Sequence, residues 1–243
     1  MREIVIEKNE AGQRLDKFLA KYMNEASKSF FYKMMRKKNI TLNGKKCEGN
    51  EKLAEGDVVK LFLAENTIEK FSSVQVQEVK KVDLDILYED DEIILVNKPA
   101  GMLSQKAKET DESLVEYLID YLLGSGKLTE RGLRAFRPSV CNRLDRNTSG
   151  LILAGKTVAA TQQLSELIAE RAVGKYYLAV VKGTVTETER IRGYLTKNER
   201  TNRVSIQREQ QGDAVYIETA YRPLCAGRGC TLLEVELVTG KSH

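Results

Sequence analysis

The chain has 243 residues, enough to bury a substantial core as one large domain or two small ones. Its 39 Lys and Arg exceed its 35 Asp and Glu by a modest 4, and its one histidine, His243, is the last residue. That placing argues against His-based metal sites and a buried Ser-His-Asp triad, leaving chemistry to carboxylates, Tyr, Lys, Arg or thiols.

No apolar segment approaches the roughly 20 residues that span a bilayer. The opening MREIVIEKNE lacks the apolar stretch of a secretion signal, so a cytoplasmic protein without membrane contact is expected. Cys47, Cys141, Cys225 and Cys230 are too far apart for a CxxC knuckle, and the one x4 pair has no histidine beside it. Reduced thiols and no metal are expected. Residues 1–66 hold 14 Lys and Arg against 10 Asp and Glu, and the remainder holds 25 of each, so the whole positive excess is N-terminal. Within it Lys28, Lys33, Arg36, Lys37, Lys38, Lys45 and Lys46 follow one another with no acid between them. Such a block reads as a polyanion-binding face, against the plainer reading of a solvated helix surface.

In GQRLDKFLAKYM the residues Leu15, Phe18, Leu19 and Tyr22 recur at helical spacing, which predicts an amphipathic helix. A second helix follows, capped by Ser27 or Ser29, with Phe31, Met34 and Met35 facing a core and Lys33, Arg36 and Lys37 sharing another face. ITLNGKK reads as strand and turn with Asn43-Gly44 in the hairpin position, and EGDVVKLFLAE as turn and strand. The order Arg14-Leu-Asp, Ser-capped basic helix, Ile40-Thr-Leu-Asn-Gly-Lys and Gly56-Asp57-Val-Val resembles the S4 RNA-binding domain. The resemblance covers about the first 65 residues and implies a small S4-like α/β module, residues 1–66. It further implies that the basic helix and turn, through Lys33, Arg36, Lys37, Lys38 and Lys45, contact structured RNA, chiefly at phosphates.

Residues 67–82, TIEKFSSVQVQEVKKV, are polar and without helical period, and read as a linker or an extended crossing segment. A second domain, 83–243, opens with a buried-type strand at Ile93, Ile94, Leu95 and Val96, ended by Lys98-Pro99-Ala-Gly101. Leu114, Tyr117, Leu118 and Tyr121 predict a helix closed by Gly124-Ser-Gly126, and a polar piece leads on to NRLDRNTSG. After the apolar run LILAGK an amphipathic helix is expected over about 158–173, through Leu164, Leu167 and Ile168. KYYLAVVKG follows as a strand with Tyr177, Ala179 and Val181 on one face, then strands at RVSIQ, AVYIETAYRPL and TLLEVELVTG. Consecutive strands outnumbering helices predict an α+β domain with a mixed sheet.

Asp145 stands between Arg143 and Arg146 and before Thr148-Ser-Gly150. An ion-paired surface turn is the plain reading of such a triplet. Against it stand the apolar segments on both sides and the match of the whole domain to a pattern. ILYEDDEIILVNKPAG, NRLDRNTSGLILAGKT, KYYLAVVKG and LVTGKSH, in that order, make residues 83–243 resemble the RluA-type family of pseudouridine synthases, in which an N-terminal S4 domain is a frequent companion. The resemblance implies isomerisation of uridine in RNA, most often ribosomal RNA, with neither cofactor nor metal. Asp145 falls on the family's catalytic aspartate, acting at the sugar or as a base that initiates glycal formation, and both roles stay open. A carboxylate suits either, since it stabilises or captures an oxocarbenium-like sugar centre.

The same resemblance places Lys241 where the family has a basic partner of this aspartate, usually Arg, with charge retained but not the guanidinium fork. Tyr177 falls on the tyrosine that packs on the target base and is the candidate for removing the C5 proton, and Tyr176 beside it reads as core. Arg143 falls on the residue that fills the space of the displaced uridine or holds flanking phosphates; its plainer role is an ion pair. Two departures stand out. Asn142 occupies a position where most members have His, for which a tuning effect is expected. The sequence also ends at His243 inside a motif that continues in the family, so a missing C-terminal part of the catalytic domain is expected. A non-catalytic S4-type RNA-binding protein is the alternative, against which Asp145, Tyr177 and Lys241 together argue. A glycoside hydrolase using Asp90 and Asp91 or similar pairs ranks below it, because adjacent acids on a strand face opposite ways and cannot flank one bond.

Overall fold

Leu15, Phe18, Leu19 and Tyr22 are all buried, so the first predicted helix packs by the stripe that predicts it. The computed structural model describes residues 1–72, 77–198 and 203–239, and the chain divides into two compact units, Met1–Glu166 and Leu167–His243.

The first unit begins with β1 (Arg2–Val5), α1 (Leu15–Tyr22), α2 (Lys28–Arg36), β2 (Ile40–Leu42), β3 (Lys45–Lys46), β4 (Val58–Leu61) and α3 (Glu65–Phe71). The strands form an antiparallel sheet in the order β1-β4-β2-β3. Ser27 caps α2, its hydroxyl accepting from Phe30 N–H at 3.3 Å. Asn43 and Gly44 turn the β2-β3 hairpin with φ of 50° and 73°, the positive pair a two-residue hairpin needs. Strand β1 is absent from the sequence reading; its pairing from Arg2↔Leu61 to Val5↔Val58 is a long-range contact that no local pattern announces. Helix α3 occupies the start of the stretch read as linker. Ile68 is fully buried in the first core and Phe71 packs on Phe30 with ring centroids 5.1 Å apart. Tertiary burial thus holds a seven-residue helix too short to stand alone in water.

The rest of this unit adds β5 (Ile86–Glu89), β6 (Ile93–Lys98), α4 (Leu114–Gly124), α5 (Glu130–Ala135), β7 (Ser139–Val140) and β8 (Gly150–Gly155). The sheet order is β5-β6-β8-β7, antiparallel throughout. Alternation along β6 buries Ile94, Val96 and Lys98, and the first two form a core with Leu114, Leu118, Val140, Ile152 and Ala154. Each such aliphatic side chain contributes about 1.5–3 kcal/mol on burial. Helix α5 lies in the piece read only as polar. Thr129 caps it, accepting from Gly132 N–H at 3.0 Å, and Ala135 is fully buried in the first core rather than the second. Asp90 accepts from the Glu92 and Ile93 N–H groups at 2.8 and 2.7 Å, so Asp90 and Asp91 belong to the turn between β5 and β6 and not to a strand.

Helix α6 (Val158–Ala169) ends before the predicted limit near 173, with Val158 and Ala160 buried, Leu164 and Ile168 half-buried and Leu167 exposed. The second unit carries β9 (Tyr176–Lys182), β10 (Glu189–Asn198), β11 (Arg203–Gln207), β12 (Val215–Gly227) and β13 (Cys230–Leu237) in one antiparallel sheet ordered β11-β10-β12-β13-β9. Strand β10 was not anticipated, since ERIRGYLTKN is largely polar. The architecture is α+β as expected. Among the described residues parallel pairing is confined to an isolated bridge, Leu103↔Ser113. No helix there is long and apolar enough to cross a membrane.

Glu89 ties β5 to α4 and to the end of β8. It accepts from Tyr121 Oη at 2.7 Å and pairs with Lys156 at 2.8 Å and Lys127 at 2.7 Å. Burial raises its pKa, but the bonds from Lys127, Lys156 and Tyr121 outweigh that and hold it at about 2, against an ordinary 4.5. A depressed carboxylate stabilises the fold fully above 4.5 and loses that contribution as pH falls toward about 2. The shift corresponds to about 3 kcal/mol. Glu89→Gln is expected to lower stability at neutral pH and to flatten this acid limb in urea melts run across the window. An unchanged limb would show that other carboxylates carry the acid sensitivity.

Candidate active site

Lys98 and Gly150 are register partners, so the turn after β6 and the segment before β8 leave the sheet at the same end. That segment, 141–149, carries Asp145. Three side chains fasten it, and each grips backbone. Asn142 donates from Nδ2 to the Leu151 carbonyl at 3.0 Å and accepts at Oδ1 from Leu153 N–H at 2.8 Å. Ser104 Oγ donates to the Leu144 carbonyl at 2.6 Å and accepts from Leu144 N–H at 3.0 Å. Lys98, fully buried, donates to the carbonyls of Pro99, Met102 and Arg146 at 3.0, 2.8 and 3.3 Å. Gly101 N–H also reaches the Arg146 carbonyl at 2.7 Å, and Thr148 N–H closes a turn on the Asp145 carbonyl at 3.0 Å.

Between these fastenings the side chains of Arg143, Asp145 and Arg146 are exposed. Arg143 is in no ion pair among the described residues, so the plain role considered for it is not seen. The site therefore offers a carboxylate to a ligand on a loop whose main chain is pinned from beneath. Burial lowers the Lys98 pKa and the negative charge of Asp145 raises it, so the ammonium is electrostatically coupled to that carboxylate. Cys141 is the nearest thiol in sequence. Burial pushes its pKa up, which suits packing rather than nucleophilic attack. Among the described residues no cluster of His, Cys, Asp and Glu is arranged to hold a metal ion.

Tyr177 lies on β9 in the second unit, half-buried and paired in register with Val235. Alternation sets Tyr176 on the opposite face, as expected, but the core role assigned to it fails. Tyr176 is 62% exposed, and its ring lies where a side chain on Gly174 would otherwise stand. Within its own unit, the face of edge strand β9 that carries Tyr176, Leu178 and Val180 has no covering layer among the described residues. Lys241 falls outside the described residues. Lys33, Arg36, Lys37, Lys38 and Lys45 are all exposed, in α2, the turn after it and β3, and in no ion pair among the described residues. Lys38 has φ 59° where a helix end usually places Gly, a cost of about 1 kcal/mol for keeping a cation there.

Lys98, Ser104 and the two-sided grip of Asn142 are missing from the sequence reading of the site. Lys98 left one signal, as a lysine on the inward phase of the Ile94-Val96 alternation. Ser104 left none, because its bond to Leu144 bridges 40 positions.

The family model described as RNA pseudouridylate synthase matches residues 92–243, more than half of the sequence. The chain belongs to the RNA pseudouridylate synthase family. It is an isomerase of uridine in RNA, and an S4 domain matches residues 13–59 ahead of the catalytic portion. Ribosomal large subunit pseudouridine synthase C of Escherichia coli (strain K12) is 32% identical over 254 residues, covering 99% of this synthase and 73% of that relative. The protein of that name from Vibrio vulnificus (strain CMCP6) is 29% identical over 247 residues, 98% and 72% of the two chains. The solved structure of Human RNA Pseudouridylate Synthase Domain Containing 4 shares the fold, with a TM-score of 0.52 at 21% identity over 65% of this chain and 60% of its own.

Replacing Lys98 by Met keeps the volume but leaves three carbonyls without their charged donor. Lys98→Met in the synthase is expected to cost about 3 kcal/mol in stability and to reduce turnover at temperatures where the variant is still folded. Wild-type turnover in the folded variant would show that the grip on residues 99, 102 and 146 does not set the position of Asp145.

Proposed function

We propose that the synthase converts specific uridines of ribosomal RNA to pseudouridine, with Asp145 as the catalytic carboxylate. The observation that carries this reading is the loop 141–149. Within a match to the family model it presents an exposed carboxylate on main chain pinned by Lys98, Ser104 and Asn142. A rigid loop suits a group that must meet a sugar carbon at one angle, since misplacement of reacting groups forfeits much of the rate that positioning supplies. The relatives named ribosomal large subunit pseudouridine synthase C support the substrate class.

Isomerisation needs the uridine out of its stack, and Arg143, exposed two residues before Asp145, fills the vacated place or holds flanking phosphates. Tyr177 packs on the extruded base and takes the C5 proton after the base has turned. Lys241 is the charge partner of the carboxylate. Residues 1–66 form the RNA-binding module, 67–82 the linker and 83–243 the catalytic part; Lys33, Arg36, Lys37, Lys38 and Lys45 hold phosphates. The reaction proceeds without cofactor or metal, in the cytoplasm.

Asp145→Ala is expected to abolish isomerisation while leaving RNA binding within about twofold, because an exposed carboxylate adds no favourable contact with phosphates. Pseudouridine mapping by carbodiimide-dependent reverse-transcription stops on unmodified ribosomal RNA checks this; equal stops with wild type and variant would remove Asp145 from the reaction. Neutralising Lys33, Arg36 and Lys37 together is expected to weaken RNA binding and reduce the slope of log affinity against log salt by about 2 to 3. An unchanged slope would place the RNA on another face.

A further inference from the structure

Two aromatic residues of the S4 module are exposed, Phe62 and Tyr32, and of these only Tyr32 stands on the basic helix α2. Phe18, Tyr22 and Phe31 are buried and Phe30 packs against the core, whereas Tyr32 is 42% exposed in the middle of the basic helix α2. Helical spacing gives Tyr32 the same face as Lys28 and Arg36, four residues to either side, and Ser29, and all are exposed. An aromatic ring among cations on a solvated face leaves much of its apolar surface in water.

Nor is the ring loose. Tyr32 Oη donates to Asp16 Oδ2 at 3.3 Å, and Asp16 is itself forked by Arg14, Nε to Oδ1 and Nη2 to Oδ2, both at 3.1 Å. The carboxylate is 3% exposed, the guanidinium side chain 52%. Burial raises the Asp16 pKa, but the bonds from Arg14 and Tyr32 outweigh it and keep the value below the usual carboxylate range, so the anchor stays charged. Two flat groups, one aromatic ring and one guanidinium, are thus tethered to a single buried anion at the edge of the basic face. Unpaired bases of RNA stack on these two kinds of surface.

We propose that Tyr32, held by Asp16 together with Arg14, is a stacking platform for one unpaired nucleobase of the RNA. The synthase would then read a bulged or looped base through α2 in addition to gripping phosphates. This inference rests on the S4 module being the RNA-binding face.

The test uses the full chain, an unmodified large-subunit ribosomal RNA transcript and a fully paired RNA duplex, with affinities measured across a salt series. Tyr32→Ala and Tyr32→Leu are expected to weaken transcript binding about tenfold with the salt slope unchanged. Tyr32→Phe, which keeps the ring, is expected to stay within about threefold of wild type. Duplex binding is expected to be equal for all four proteins. Retained affinity in Tyr32→Ala would overturn the proposal, as would a loss in Tyr32→Phe as large as that in Tyr32→Ala, which would assign the effect to the hydroxyl. A lowered slope in Tyr32→Ala would overturn it as well, by assigning the residue to phosphate contacts. If the transcript binds but neutralising Lys33, Arg36 and Lys37 leaves affinity and slope unchanged, the reading of the module fails and the platform with it. Unchanged affinity in Tyr32→Ala alone sinks only the platform.

Discussion

A single buried ammonium group organises the end of the sheet that carries Asp145. Lys98 is wholly removed from water, an arrangement whose desolvation penalty is several kcal/mol unless the charge finds partners. It finds three carbonyls, two from the turn that follows its own strand and one from Arg146 on the loop across the sheet. The chain must therefore fold both loops onto the same point or leave a charge stranded in the interior. That requirement couples the NKPAG turn to the RLDR loop more tightly than either loop's own turn residues could. It also places a fixed positive charge within electrostatic reach of the exposed Asp145 carboxylate.

Charge is handled in two opposite ways along the molecule. Around Glu89 three donors converge on one carboxylate and the group is neutralised inside the fold. Along α2 and β3 the cations stand without ion pairs among the described residues, and one of them, Lys38, occupies a left-handed backbone position that glycine would fill more easily. Cations left unpaired in this way repel one another when no anion is present, so the surface reaches its lowest energy only against a polyanion. The net charge of +4 conceals this, because it sums a paired interior and an unpaired face.

How much of this was legible in the sequence depended on the range of the interaction that decides each feature. The stripe Leu15, Phe18, Leu19 and Tyr22, the Ser27 cap and the Asn43-Gly44 turn act within a few residues, and their pattern is their cause. Strand β1, by contrast, exists because Arg2 to Val5 pair with a strand more than 50 positions on, and α3 because Ile68 finds a core that other elements build. Tyr176 was misplaced for a related reason: period-two alternation assigns residues to faces but not the layer that covers each face. In the site, Arg143 and Asp145 were visible through their motif, whereas the supports beneath them were visible only in part. Asn142 stood out as a departure, yet its two bonds to β8 turn it from a modifier into a clamp.

Lys98 and Ser104 hold the loop 141–149 by its peptide groups, which every residue type possesses, and Asn142 within the loop grips the peptide groups of β8. Exchange of the exposed side chains at 143 and 146 therefore leaves the loop's path intact. The identity of those two side chains is thereby separated from the geometry of the platform that carries Asp145. Anchorage through the backbone leaves the surface of the loop free to change while its path stays the same.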